Sequence, residues 1–146
     1  MGLTTGGVTS LFSLFGFGST DLDADAAADT LTTTVTNAIV DQGLTSGSGT
    51  ITATDAGGQG LLPLGFRNVE SSTINGGTVV INGTDQDDII RLAATGALTV
   101  SNSGGLVLQT YDLSGANRVV INSLGGDDSI FVGAVLAVIP GGVSVI

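Results

Sequence analysis

The sequence predicts an all-β protein, and three observations support this. The chain is 42% hydrophobic but only 4% aromatic, with Val, Ile, Leu and Ala gathered in short runs. Those runs are separated by Asn, Asp, Ser and 24 glycines. Short β-branched runs bounded by such residues are typical of strands joined by tight turns. Finally, one stretch of the chain recurs in a second copy.

The internal repeat begins in a strand-like segment. Val79–Asn82 recurs as Val119–Asn122, and the register holds through an acidic turn, where Asp87 and Asp88 match Asp127 and Asp128. A single unit of this size cannot bury its apolar face alone, so the copies are expected to stack on one another.

A shorter period of about 20 residues is visible within the repeat. Ile81, Val100 and Ile121 each lie in a short predicted strand followed by a glycine-bearing turn. This period favours a β-solenoid, a parallel β-helix-like stack of coils of about 20 residues. The alternative is a β-sandwich, with the strands paired antiparallel. Earlier strands of the same kind are expected at Leu31–Val40, Thr50–Thr54, Gly60–Phe66 and Val69–Asn75.

Three regions are predicted along the chain. Residues 1–28 form an apolar N-terminal extension and an acidic spacer, residues 29–134 the β repeat domain, and residues 135–146 an apolar C-terminal strand. Leu11–Phe17 is uncharged, and Asp21–Asp25 is expected to be a linker or a short helical turn. Each apolar end could cap its own stack or insert as a strand into a neighbouring subunit.

The charge balance excludes several classes of function. The formal net charge is −10, with Arg67, Arg91 and Arg118 the only basic side chains. Nucleic-acid binding needs cationic contacts to phosphate and is not expected. Without His or Cys the chain cannot build the usual zinc, thiol or Ser-His-Asp sites. Oxygen ligands remain, and these suit calcium.

No segment has the composition of a membrane span or of a signal peptide. The longest apolar run, Ile130–Pro140, is shorter than the roughly 20 residues needed to cross a bilayer, so membrane insertion is not expected. Lys and Arg are both absent before Arg67, so the positive region of a signal peptide is missing. Either a leader has been removed or export uses another route.

The acidic turns resemble a known repeat. Gly83–Ile90 and Gly125–Ile130 resemble the hemolysin-type (RTX) calcium-binding repeat, Gly-Gly-x-Gly-x-Asp-x-hydrophobic-x. Val69–Gly77 is similar to segments of long bacterial surface repeat proteins. The resemblance covers residues 29 to 134 and implies a secreted, cell-surface protein with calcium in its turns. The chain departs from the RTX pattern, whose turns recur every nine residues, because its own acidic turns are much further apart.

Five aspartates are the candidate calcium ligands. Asp85, Asp87 and Asp88 place three charges close together in the sequence, and Asp127 and Asp128 repeat the pattern. A divalent cation bound by carboxylate and backbone oxygens would relieve this repulsion. The alternative is that these side chains only cap turns through hydrogen bonds to the backbone.

The predicted function is structural. We expect a non-enzymatic extracellular protein that binds copies of itself through its terminal apolar strands, as a filament or surface-layer subunit or as a repeat module of one. The alternative is a monomeric adhesin or carbohydrate-binding module. A remote alternative is a polysaccharide lyase-like enzyme using Arg91 near Asp87 and Asp88. The sequence instead favours Arg91 as an outward strand residue paired with a neighbouring Asp.

Overall fold

The structure is a computed structural model and describes residues 2–5, 8–11, 20–23, 29–55, 57–61, 63–135 and 137–146. Within these ranges all regular structure is β-strand, which confirms the all-β prediction. The strands are β1 (Gly2–Thr5), β2 (Val8–Leu11), β3 (Thr20–Asp23), β4 (Thr30–Thr34), β5 (Asn37–Gln42), β6 (Gly49–Thr54), β7 (Leu64–Arg67), β8 (Ser71–Asn82), β9 (Asp88–Leu92), β10 (Ala97–Asn102), β11 (Val107–Asp112), β12 (Ala116–Asn122), β13 (Ser129–Val132) and β14 (Val143–Val145).

The strands form one mixed sheet that does not close. The long strand β8 belongs to both halves of it. The first half-sheet has the order β2-β1-β4-β8-β11-β10-β9-β13, in which β8 contributes residues 71–75. The second half-sheet has the order β3-β7-β6-β5-β8-β12-β14, in which β8 contributes residues 76–82.

The repeated segments are stacked in register. Val79 pairs with Val119 and Ile81 pairs with Ile121 in the parallel β8–β12 ladder. Val40 in turn pairs with Ile81 in the parallel β5–β8 ladder. Residues 40, 81 and 121 are thus neighbours across three strands, although they are far apart along the chain. Identical or similar β-branched side chains therefore lie directly above one another.

A double glycine lets β8 cross from one half-sheet to the other. A Cβ atom at Gly76 would lie 2.6 Å from the carbonyl oxygen of Val35, and one at Gly77 would lie 2.7 Å from that of Thr36. The amide of Gly77 donates to this same Thr36 oxygen at 2.7 Å. The close approach of two backbones leaves no room for a side chain, which explains glycine at both positions.

One core lies between the buried faces of the two half-sheets. Alternate residues of each strand face it, as in β5, where Ala38 and Val40 are buried and Ile39 is exposed. Full burial of a side chain the size of Val40 stabilises the fold by about 1.5–3 kcal/mol. A polar bond also crosses the core, since the Tyr111 hydroxyl donates to Oε1 of Gln42 at 2.7 Å.

The short coil predicted from the sequence is not the stacking unit. Ile81 and Ile121 lie in one ladder, but Val100 lies in β10 of the other half-sheet, antiparallel to its neighbours β9 and β11. The reason is that the chain reverses direction between the stacked segments, along β5–β6–β7 and along β9–β10–β11. The stacking period is therefore twice the predicted one.

The two ends of the chain contribute strands. Thr20–Asp23 forms β3, parallel to β7, where the sequence predicted a linker or a helical turn. Leu11 ends β2, while residues 12–17 of the predicted apolar segment lie outside the described residues. At the other end β14 is parallel to β12 of the same chain, and Val135 and Ile139 are buried. No helix of the described chain has the length and hydropathy to cross a membrane.

Candidate functional site

The two acidic turns are stacked on each other. One connects β8 to β9 and the other connects β12 to β13. Because β12 is parallel to β8 and β13 is parallel to β9, each turn is held between two in-register ladders. The structure thus stacks the two turns that carry the five candidate aspartates, which the sequence divides between the two copies of the repeat.

Hydrogen bonds join the stacked turns in both directions. The amide of Asp88 donates to Oδ1 of Asp128 at 2.8 Å. The amide of Asp127 donates to Oδ1 of Asp87 at 2.9 Å. Each turn therefore supplies a carboxylate that satisfies a backbone donor of the other turn, and bonds to a charged acceptor are among the stronger hydrogen bonds in proteins.

Asp88 is the buried member of this cluster, with a side chain only 1% exposed. Its Oδ2 accepts from the amide of Thr84 at 2.6 Å and from the Thr84 hydroxyl at 3.1 Å. A Cβ at Gly83 would lie 2.7 Å from Oδ2, so glycine makes room for the carboxylate. Oδ1 is buried and has no hydrogen-bond partner among the described residues. A buried oxygen in this state costs folding free energy.

Gly126 makes the close stacking of the turns possible. Its φ is 111°, outside the range that L-residues ordinarily adopt. A Cβ there would lie 2.6 Å from the carbonyl carbon of Gln86 in the turn beneath. At Gly125, by contrast, the nearest atom to such a Cβ is the Asp85 carbonyl oxygen at 3.7 Å, an ordinary contact.

The described carboxylates do not form a ready-made metal site. No group of three or more His, Cys, Asp or Glu residues within the described ranges is arranged to hold a metal ion. The hydrogen bonds that Asp87, Asp88 and Asp128 accept are those of turn capping. Carboxylate and backbone oxygens are still the donor types that calcium prefers, and the side chains of Asp85, Asp87 and Asp127 are exposed.

No family model, curated protein or solved structure matches this chain. Its function is therefore inferred from the geometry of the stacked turns and of the strands that end the stack.

The C-terminal end of the stack, formed by β13 and β14, is apolar and exposed. Within the described residues β13 pairs only with β9 and β14 only with β12, so each has one open edge. Phe131 is 49% exposed and Val132 44% in the first of these strands, and Val145 is 50% exposed in the second. An open strand edge beside exposed apolar side chains is a template for further strand pairing.

Arg91 stacks on an aromatic ring instead of pairing with an Asp. Its guanidinium carbon lies 4.1 Å from the centroid of Phe131, the residue at the equivalent position of the next repeat. The register explains this contact, since Arg91 pairs with Phe131 in the β9–β13 ladder. The expected Asp partner is thus wrong for the described part of the chain, and the outward placement of Arg91 is right.

Two polar residues at these sites gave no signal in the sequence. Thr84 binds the Asp88 carboxylate, and the only hint was its place within the acidic turn Gly83–Ile90. Ser144 accepts from a guanidinium nitrogen of Arg118 at 3.0 Å. That contact depends on β14 folding back on β12, which no local motif indicated.

Proposed function

We propose that this chain is an extracellular, non-enzymatic structural protein that assembles with copies of itself into a filament or surface layer. The observation that carries the proposal is the C-terminal end of the stack, where two strands with open edges expose apolar side chains. Inside the chain, repeats already associate by parallel in-register pairing. The same interaction between chains would bury these edges.

The energetics favour association of such an end. Each exposed side chain at the end would contribute about 25 cal/mol for every Å² of apolar surface removed from water. The unpaired backbone groups of β13 and β14 would gain ladder hydrogen bonds as well. The inner strands of each half-sheet offer no such edge, because each of them is paired with a neighbour on both sides.

The architecture we propose is an irregular β-solenoid in which each internal repeat makes one coil. Residues 30–42, 71–82 and 107–122 each run from the first half-sheet into the second, and these segments stack in parallel. The antiparallel strands between them are the feature shared with the alternative β-sandwich. A solenoid suits self-assembly because each coil contacts only its neighbours, so a copy can be added at an end.

We further propose that calcium binds at the stacked acidic turns and stabilises them. The two stacked turns carry Asp85, Asp87, Asp88, Asp127 and Asp128 in a chain of net charge −10, and hydrogen bonds join the two Asp-Asp pairs. The buried Oδ1 of Asp88 and the carbonyl oxygens of the turns would supply further ligands. The ion would offset the repulsion between stacked carboxylates and would not replace the hydrogen bonds that cap the turns.

Calcium binding is tested by thermal unfolding with and without the ion. We expect millimolar calcium to raise Tm and a chelator to reverse the rise. The triple variant Asp85→Asn, Asp87→Asn, Asp127→Asn removes three charges but keeps amide oxygens as acceptors, and it should lose the shift. Asp112→Asn, an exposed change outside the turns, is the control. An unchanged Tm in calcium, or an equal rise in the triple variant, would leave turn capping as the only role of these residues.

Self-assembly is tested on the full chain by light scattering after size-exclusion chromatography and by negative-stain electron microscopy. We expect large, elongated species. Val132→Lys should abolish them, because it places a charge on the C-terminal end. Ile39→Lys is a matched control, since Ile39 is also 44% exposed but lies in the middle of the second half-sheet. A chain that stays monomeric at every concentration would contradict the proposal and favour the adhesin alternative.

A further inference from the structure

We infer that the assembly is polar, with the N-terminal end of one copy docking on the C-terminal end of the next. The N-terminal end of the stack is formed by β2 and β3, which in the described chain pair only with β1 and β7. The inference rests on the proposed self-assembly and specifies its partner as a second copy in a head-to-tail orientation. Strand direction and the shape of the two ends support it.

Strand directions match at the two ends of the first half-sheet. The strands β4, β8 and β11 are parallel. Two successive antiparallel pairings lead from β4 through β1 to β2, so β2 runs in the same direction as β4. Two antiparallel pairings and one parallel pairing lead from β11 to β13, which therefore also runs in that direction. A copy translated along the stack presents β2 parallel to β13.

The second half-sheet gives the same result independently. Here β5, β8, β12 and β14 are parallel. Two antiparallel pairings and one parallel pairing lead from β5 to β3, so β3 has the direction of β14. Head-to-tail docking thus continues the parallel pairing already present in β8–β12–β14 and β9–β13. A head-to-head arrangement would oppose identical edges and would not continue it.

The ends of the stack are stepped in a complementary sense. Counted from the shared strand β8 and among the described residues, the first half-sheet extends four strands toward the C-terminal end and the second extends two. Toward the N-terminal end the described strands number three in the first half-sheet and four in the second. The projecting β13 of one copy therefore meets the recessed β2 of the next. These two strands, each of four residues, form the direct contact in this arrangement.

The direct β13–β2 contact carries no charged residue in either strand. Strand pairing and burial of the apolar side chains of β13 would therefore hold the two copies together.

Engineered cysteines test the polarity, because the native chain has none. Thr9→Cys in β2 and Ser129→Cys in β13 are made as separate variants, allowed to assemble as a mixture and treated with a short bis-maleimide. We expect a covalent dimer containing one chain of each kind and little cross-linking of either variant alone. Ser103→Cys, in the exposed turn between β10 and β11, is the control and should not cross-link. Assembly with Ser129–Ser129 cross-links would overturn the polar arrangement while leaving self-assembly intact.

The two proposals fail in different ways. A native chain that never assembles would overturn the proposed function itself. Assembly without mixed cross-links between the Thr9→Cys and Ser129→Cys variants would overturn only the head-to-tail orientation.

Discussion

The backbone amide of Asp88 donates a 2.8 Å hydrogen bond to the Oδ1 atom of Asp128, which occupies the equivalent position in the next repeat. A second bond runs the opposite way, from the amide of Asp127 to Oδ1 of Asp87. The repeated Asp-Asp pair is therefore more than two copies of one turn. Each copy completes the hydrogen bonding of the other, so the acidic character of the turns has a structural role whether or not an ion binds.

Removing one of these acceptors should destabilise the chain. Asp128→Ala leaves the Asp88 amide without its acceptor, and we expect a loss of about 1–3 kcal/mol in the free energy of unfolding, measured in urea. Asp128→Asn keeps a side-chain oxygen and should lose less. Asp127→Ala is the matched control, because its exposed carboxylate caps neither turn, and it should change stability by less than about 0.5 kcal/mol. Equal effects of the two alanine variants would contradict the capping role.

The adjacent glycines of the second turn should respond differently to alanine. Gly126→Ala combines a positive φ with a Cβ 2.6 Å from the turn beneath, so we expect a loss of about 1–3 kcal/mol. Gly125→Ala meets no atom closer than 3.7 Å and should be nearly neutral. Both are measured by thermal and urea unfolding. A tolerated Gly126→Ala would mean that the turns are not stacked closely in solution.

The sequence indicated much of this fold because its local patterns are strong. Val79–Asn82 and Val119–Asn122 share composition and spacing, and their in-register pairing is the arrangement that buries both apolar faces. The positions of most strands follow from the same alternation of apolar and polar residues. The repeated sequence did not indicate how the chain runs between the stacked segments. The antiparallel strands there have the same alternation of apolar and polar residues, so the predicted stacking period was half the true one.

The candidate site could likewise be predicted only in part. The acidic residues of both turns were evident from composition, but their mutual hydrogen bonds were not. Those bonds require the two turns to meet, which depends on the ladders on either side of them. The contact of Arg91 with Phe131 was missed for the same reason. A difference between equivalent positions of two repeats becomes informative only when the two positions are known to be neighbours.

The bond between Tyr111 and Gln42 should stabilise the contact between the half-sheets. Tyr111→Phe leaves Oε1 of Gln42 without this donor in the core, and we expect a loss of about 1–3 kcal/mol. The control is a double-mutant cycle with Gln42→Met, which removes the acceptor as well. The double variant should lose less than the sum of the two single variants, because the Tyr111 hydroxyl and Oε1 of Gln42 are removed together. Gln42→Met also removes the bonds from Nε2 to the carbonyl oxygens of Gly43 and Ser48, but this loss is common to the single and double variants and cancels in the cycle. Additive losses would show that the bond contributes little.

The same tyrosine should make stability fall in alkaline solution. Burial, with a smaller contribution from the charge of Asp41, raises the pKa of Tyr111 well above its ordinary value of about 10. Above about pH 10 the unfolded chain loses the phenolic proton while the folded chain keeps it. The unfolded state therefore binds fewer protons. The free energy of unfolding should then decrease by about 1.4 kcal/mol per pH unit.

This alkaline effect can be assigned to one side chain. Tyr111 is the only tyrosine, and the chain has no Trp, Lys, Cys or His. The ultraviolet absorption of tyrosinate therefore reports on Tyr111 alone, and it should appear together with the loss of β-structure in circular dichroism. Tyr111→Phe should remove the slope above pH 10 while leaving the remaining pH dependence unchanged. A tyrosinate signal that grows near pH 10 while the chain stays folded would contradict the burial of this residue and, with it, the packing of β11 against the second half-sheet.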